Sequence, residues 1–199
     1  RASHILVLVD EGASPEDTLR AFNKIKDIKN RLNAGEDFVK VAQQFSEDPS
    51  VKENNGDLGY FSAFRMVYPF ENAAFNTNVG EVSKPFRTRF GYHLVKVVDK
   101  RDNRGEVTVA HIMIVKPSTP DAQLEAKAKQ TIDDIYQKIQ QGEGFESLAN
   151  QFSEDKSSAS KGGVLQRFGS GQLSSEEFEN VAFSLQNKND ISKPFQSQF

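Results

Sequence analysis

Phe45-Ser46-Glu47-Asp48-Pro49-Ser50 recurs as Phe152-Ser153-Glu154-Asp155-Lys156-Ser157, 107 positions further along a chain of 199 residues. Solenoid repeats have periods of roughly 20–50 residues, each a single supersecondary unit. A longer period makes each copy a small domain, and about 100 residues can bury a core without disulfides or metals. Two tandem domains of one plan are therefore expected, over residues 1–103 and 104–199.

The copies align beyond the acidic motif. Each opens with an aliphatic, β-branched run too short for a helix, Ala2–Val9 and Val109–Val115. Ser14-Pro15 and Thr119-Pro120 then offer a hydroxyl cap followed by proline at the first helical position. The helices are expected to stop near Gly35 and Gly142. A shorter helix follows, with Phe38, Ala42 and Phe45 matching Phe145, Ala149 and Phe152 on one buried face. After a polar loop and a glycine turn, "PFENAAF" and "EFENVAF" predict a third helix. "VGEVSKPFRTRFGYHLVKVVDK" gives a turn and closing strand in the first copy, while the second reaches "NDISKPFQSQF". The charged, non-periodic stretch Asp99–Glu106 reads as the linker. This order predicts an α+β fold: two small, mostly antiparallel sheets surrounded by helices, with the first and last strands neighbours and the second domain stopping short of its last strand. A chain that opens at Arg1-Ala2-Ser3 inside a strand reads as an excised fragment, expected to run on past Phe199 into an aliphatic strand.

Composition narrows the chemistry. With no cysteine, the chain has no disulfide, zinc–thiolate site or cysteine nucleophile. Net charge is −3, the acidic excess falls in the second copy, and no Lys/Arg cluster offers a track for nucleic acid. No apolar run approaches the roughly 20 residues of a membrane span. No serine stands in a G-x-S-x-G elbow. All three histidines, His4, His93 and His111, lie on expected strands. If the first and last strands pair antiparallel, His4 and His93 meet on one face. The pair can be a satisfied core feature, a metal site with Asp48 as third ligand, or part of an active site. Asp48 can equally be an acid capping a turn.

The run "SHILV…FSEDPS…NGDLGYFS…M…PFENAAF…VGEVSKPF…T…FGYHLVKV" resembles the parvulin class of peptidyl-prolyl cis–trans isomerases. The resemblance spans nearly all of residues 2–100 and extends less closely to the second copy. It implies a set of roles in the first copy: His4, Asp48, His93 and Thr88 at the catalytic centre, with Thr88 on its polar rim. Leu58, Met66 and Phe70 would line a proline pocket, with Phe90 as the neighbouring aromatic. In the second copy it implies His111, Asp155, Leu165, Leu173, Phe178 and Ser197, Leu173 standing where the first has methionine. The second copy's matching histidine falls outside these residues, so that copy is expected to bind substrate rather than catalyse.

The resemblance implies no cofactor and no metal. As partners it implies proline-containing unfolded or nascent exported polypeptides, in a bacterial extracytoplasmic foldase whose full-length form can associate with a membrane. A non-catalytic holdase, gripping unfolded segments in both apolar grooves, is the alternative. Some relatives favour phosphate before proline through a basic loop after the first strand. Here that segment carries Asp10, Glu11, Glu16 and Asp17, so no such preference is expected.

Overall fold

The structure is a computed structural model that describes residues 1–117 and 119–198. It divides into two compact units, Arg1–Asn103 and Arg104–Phe199.

In the first unit the aliphatic run forms β1 (Ala2–Leu8). Ser14 caps α1 (Pro15–Asn33) by accepting from the Asp17 amide, with Pro15 in the first turn. Asp37 does the same for α2 (Phe38–Phe45) through Lys40. Val51, buried, anchors a short helix, α3 (Val51–Asn54), in the segment read as polar loop. Then follow α4 (Tyr68–Phe75), β2 (Phe86–Thr88) and β3 (Gly91–Val97). The sheet is antiparallel in the order β1-β3-β2, so the first and last strands are neighbours as expected.

Strand alternation divides this sheet into two working faces. Ile5, Val7 and Leu94 pack against Ala21, Ile25 and Ile28 of α1 and Phe38, Val41 and Ala42 of α2. Fully burying such a side chain contributes about 1.5–3 kcal/mol, and this face is the structural core. The other face carries a second cluster, Ala2, Phe70, Ala74 and Val95, and it is here that the histidines stand.

β1 is an edge strand, yet its outer edge is not left open. Ser46 Oγ accepts from the Leu6 amide, the Glu47 carboxylate accepts from the Leu8 amide, and the Glu47 amide donates to the Leu6 carbonyl at 2.7 Å. Further along, the His4 amide donates to Gly56 and the Leu58 amide to Ala2. Gly56 lies so close that a Cβ there would meet the His4 carbonyl oxygen at 2.6 Å, and its φ is +81°.

The second unit repeats this edge bond for bond. Ser153 accepts from Met113, Glu154 accepts from Val115, and the Glu154 amide donates to Met113. His111 donates to Gly163, whose φ of +80° matches Gly56. Its elements are β4 (Glu106–Val107), α5 (Ala122–Gln140), α6 (Phe145–Phe152), a 3-10 turn (Ala159–Lys161), β5 (Phe168–Gly169) and α7 (Glu176–Ser184).

Three expectations change here. Val109–Val115 is not a strand: it makes one isolated bridge, Ala110 to Val164, and no described residues stand where β3 completes the first unit. An aliphatic run is strand-like in composition, but a strand is defined by its ladder. The cap of α5 is Asp121, which accepts from Gln123 and Leu124, so Thr119 and Pro120 stay outside the helix. Glu106, read as the end of the linker, pairs with Gly169 in the β4–β5 ribbon. Phe199, aligned with Phe90, lies outside the described residues.

Gly56→Ala should destabilise the first unit by about 1–2 kcal/mol for the left-handed backbone, and by more if the loop must withdraw from His4. Urea unfolding of the variant against the parent measures this; an unchanged midpoint would contradict the close approach.

Candidate active site

In the β1–β3 register His93 stands opposite Leu6 and His4 opposite Val95, which sets the two imidazoles diagonally on one face. Their ring centroids are 5.8 Å apart and the rings nearly parallel, at 22°. Phe70, from the buried side of α4, meets both rings edge-on at 5.7 Å. Phe86 stacks on His93 at 5.4 Å and meets Phe70 edge-on. Leu58 and Met66 pack, half-buried, against the same cluster. The result is an apolar cluster packed over a pair of imidazoles.

The polar groups are arranged in two separate pairs. Asp48 Oδ2 lies 2.6 Å from His4 Nε2. Thr88 Oγ and His93 Nε2 share a hydrogen bond of 2.7 Å. Asp48 thus serves one histidine, His4. Thr88 is buried beside His93 and not on a rim, because β2 directs it inward at the end of the strand. Phe90 lies apart: β2 ends at Thr88, the chain turns, and Phe90 is half exposed beneath the Arg89 guanidinium. Phe86 occupies the place expected for it.

Burial pushes the His4 pKa down, against the pull of Asp48. Burial, and then the neighbouring His4, lower His93 to about 4. Burial works to raise Asp48, but hydrogen bonds from Ser50 and the proximity of His4 outweigh it and hold the carboxyl below its ordinary range. At neutral pH the site therefore contains two neutral imidazoles and one carboxylate. Since an ionised carboxylate only accepts, His4 carries its proton on Nε2. Neither the His4 nor the His93 Nδ1 has a hydrogen-bond partner among the described residues. Among the described residues no group of three or more His, Asp and Glu is placed to hold a metal ion.

Sequence reasoning missed Glu71, whose buried carboxylate accepts from the amides of Arg65 and Met66 at 2.7 and 2.9 Å. Burial opposes its ionisation, but the amides of Met66, Phe64 and Arg65 overcome that and lower its pKa. The signal was the repeated "FEN" at 70–72 and 178–180, read only as helix.

In the second unit His111 Nε2 and Asp155 Oδ2 are 2.7 Å apart, and Phe178 meets His111 edge-on at 5.5 Å. Hydroxyls of Ser158 and Ser157, and then His111, hold the Asp155 carboxyl well below its ordinary range. Phe195 packs on Phe178 as Phe86 does on Phe70. Leu165, Leu173 and Ser197 line an open cleft of about 1730 Å³ together with His111, Asp155 and Phe178. Its walls include Ile112, Ile114, Ile132 and Ile135. Their counterparts Ile5, Val7, Ile25 and Ile28 close on Leu94 in the first unit.

Two models of the PPIC-type PPIase domain match, one over residues 1–101 and the other over residues 111–199. The chain belongs to the PPIC-type PPIase family. Among curated relatives, the chaperone SurA of Chromohalobacter salexigens is 36% identical over 99% of this chain and 46% of its own length. The foldase protein PrsA of a Geobacillus species is 39% identical over 70% of this chain and 48% of its own. The chain thus spans about half the length of these relatives. The solved structure of the peptidylprolyl isomerase PrsA from Bacillus anthracis is 32% identical, covering 65% of this chain and 48% of that one, with a TM-score of 0.43. This parvulin pair therefore has its family membership on both halves, in the α+β plan expected from the sequence.

The histidine pair gives a stability signature. Both folded pKa values lie below the ordinary 6.5, His93 at about 4. Between those limits the unfolded chain binds more protons than the folded one, so stability is fully present above pH 6.5 and is lost as pH falls toward 4. For His93 alone this is on the order of 3 kcal/mol, at about 1.36 kcal/mol per unit. Urea midpoints of the first unit should drop across that window, and His93→Leu should flatten the slope. A midpoint independent of pH would mean that the imidazoles are not buried as described.

Proposed function

We propose that the first unit catalyses cis–trans rotation of X–Pro bonds and that the second holds the same unfolded polypeptides without turning the bond. The observation that carries this is the junction of an apolar cluster, Leu58, Met66 and Phe70, with a pair of neutral, hydrogen-bonded imidazoles.

Rotating a peptide bond costs about 18–20 kcal/mol because amide resonance is lost. No covalent bond to the protein is needed. The planar amide is charge-separated, and twisting removes that separation. A dry apolar site therefore favours the twisted amide over the planar one relative to water, and each ~1.36 kcal/mol of this difference gives a tenfold rate. Met66 and Phe70 would grip the proline ring, methionine adapting its shape to it. His4 and His93 would line the floor without presenting a charge that would re-solvate the planar form. Asp48 and Thr88 would fix the ring orientations. These are positioning roles, not nucleophilic ones.

In the second unit the His111–Asp155 pair and Phe178 border an apolar cleft walled by Ile112, Ile114, Leu165 and Leu173, a surface that supports holding an unfolded segment. Clients that are proline-containing unfolded exported chains, and a setting outside the bacterial cytoplasm, belong to the same proposal.

Exchange of an X–Pro peptide measured by NMR should be faster with the protein than without it. Met66→Ala should lower kcat/KM roughly 10–100-fold, the loss of about 1.5–3 kcal/mol of side-chain burial. An exchange rate equal to the uncatalysed one would leave the holdase reading. Phospho-Ser-Pro should be turned no faster than Ser-Pro. The Arg87 guanidinium donates to the Val9 and Asp10 carbonyls, and the acids of residues 10–17 would repel a phosphate of about −2. A tenfold preference for the phosphopeptide would refute this.

A further inference from the structure

Phe64 is 97% exposed and sits at a φ of +67°, in the left-handed region that costs a non-glycine residue about 1–2 kcal/mol. The corresponding residue of the second unit explains what the backbone requires. Phe61 aligns with Phe168 and Met66 with Leu173 at the 107-residue offset, so Phe64 aligns with Gly171. Gly171 has a φ of +75°, and its amide donates to Glu179 at 2.7 Å, as the loop amides of the first unit donate to Glu71. In both loops a backbone amide donates to a buried carboxylate of the following helix, and in the first unit successive amides do so, a nest that needs one left-handed residue. Glycine fills that position at no steric cost. The first unit instead places its bulkiest apolar side chain there, and exposure shows that it gains no packing in return.

Phe64 stands two residues before Met66, one of the residues proposed to grip the proline ring. Two residues of chain reach at most about 7 Å, so Phe64 lies within that span of Met66 along a loop that Glu71 pins. We infer that Phe64 is a substrate-contacting residue that selects clients with a large apolar side chain flanking the proline. The inference rests on the proposed proline pocket. The second unit, with Gly171, lacks this selection. The loop backbone is already fixed by the amides that donate to Glu71, so covering the exposed ring orders little more than two side-chain torsions, and an aromatic on such a loop is an effective anchor.

The test uses paired hexapeptides that are alike except for leucine or serine two residues before and one residue after an Ala-Pro bond. The 199-residue protein should show a kcat/KM at least fivefold higher for the leucine peptide. Phe64→Gly, which restores the residue the backbone favours and should not lower the urea midpoint, should bring that ratio close to one. Met66→Ala should lower both values and preserve the ratio. A ratio retained in Phe64→Gly, or no ratio in the parent, overturns the inference. If the parent turns neither peptide, the isomerase reading fails, and NMR titration of the same peptides decides. Weaker binding of the leucine peptide by Phe64→Gly upholds the role of Phe64, and equal binding overturns it.

Discussion

Everything in the first unit hangs on the way β1 is held at both edges. One edge is laddered to β3; the other is met by Ser46, Glu47 and the backbone of Gly56 and Leu58. A buried amide left without a partner costs about 1–3 kcal/mol, so an uncovered edge would threaten the strand that carries His4. The repeated Ser-Glu-Asp is the solution. The serine and the glutamate satisfy the strand's amides, and the aspartate beside them turns to the histidine. Three consecutive residues thus close an edge and build half of a site, which is why the same three recur around His111.

The two faces of the sheet then divide the labour. Aliphatic side chains bind the helices on one side, while the other side holds two imidazoles among phenylalanines. Neutral histidines at the junction follow from burial, since the cost of charging them there exceeds what Asp48 returns. Acid-sensitive stability and an uncharged floor are therefore two results of one placement.

Much of this was legible in the residues because it depends on local pattern. The duplication, the helix faces of Phe38 and Ala42, and the meeting of His4 and His93 needed only period, register and spacing, whereas the approach of Asp48 came with the family resemblance. What escaped reading depends on where elements stop. Residues 86, 88 and 90 share a face by strand alternation, but the strand ends at Thr88 and the turn into Gly91 carries Phe90 away, leaving Phe86 on the ring of His93. Thr119 and Asp121 both suit a helix start, and only the amides of Gln123 and Leu124 decide for Asp121. Val109–Val115 has the composition of a strand, but ladder formation is a property of two segments and cannot be read from one. Glu71 looked like one more polar helix residue because the amides it gathers come from the loop before it.

The covered edge also bears on how such a molecule survives its own occupation. A protein proposed to dwell among unfolded chains meets, constantly, the extended backbones most apt to add themselves to an exposed strand. Ser46 and Glu47 occupy that position on β1, so a passing chain does not find that edge free. In the second unit Ser153 and Glu154 guard the same flank. Each copy thereby keeps the extended backbones it is proposed to hold from adding themselves to that flank.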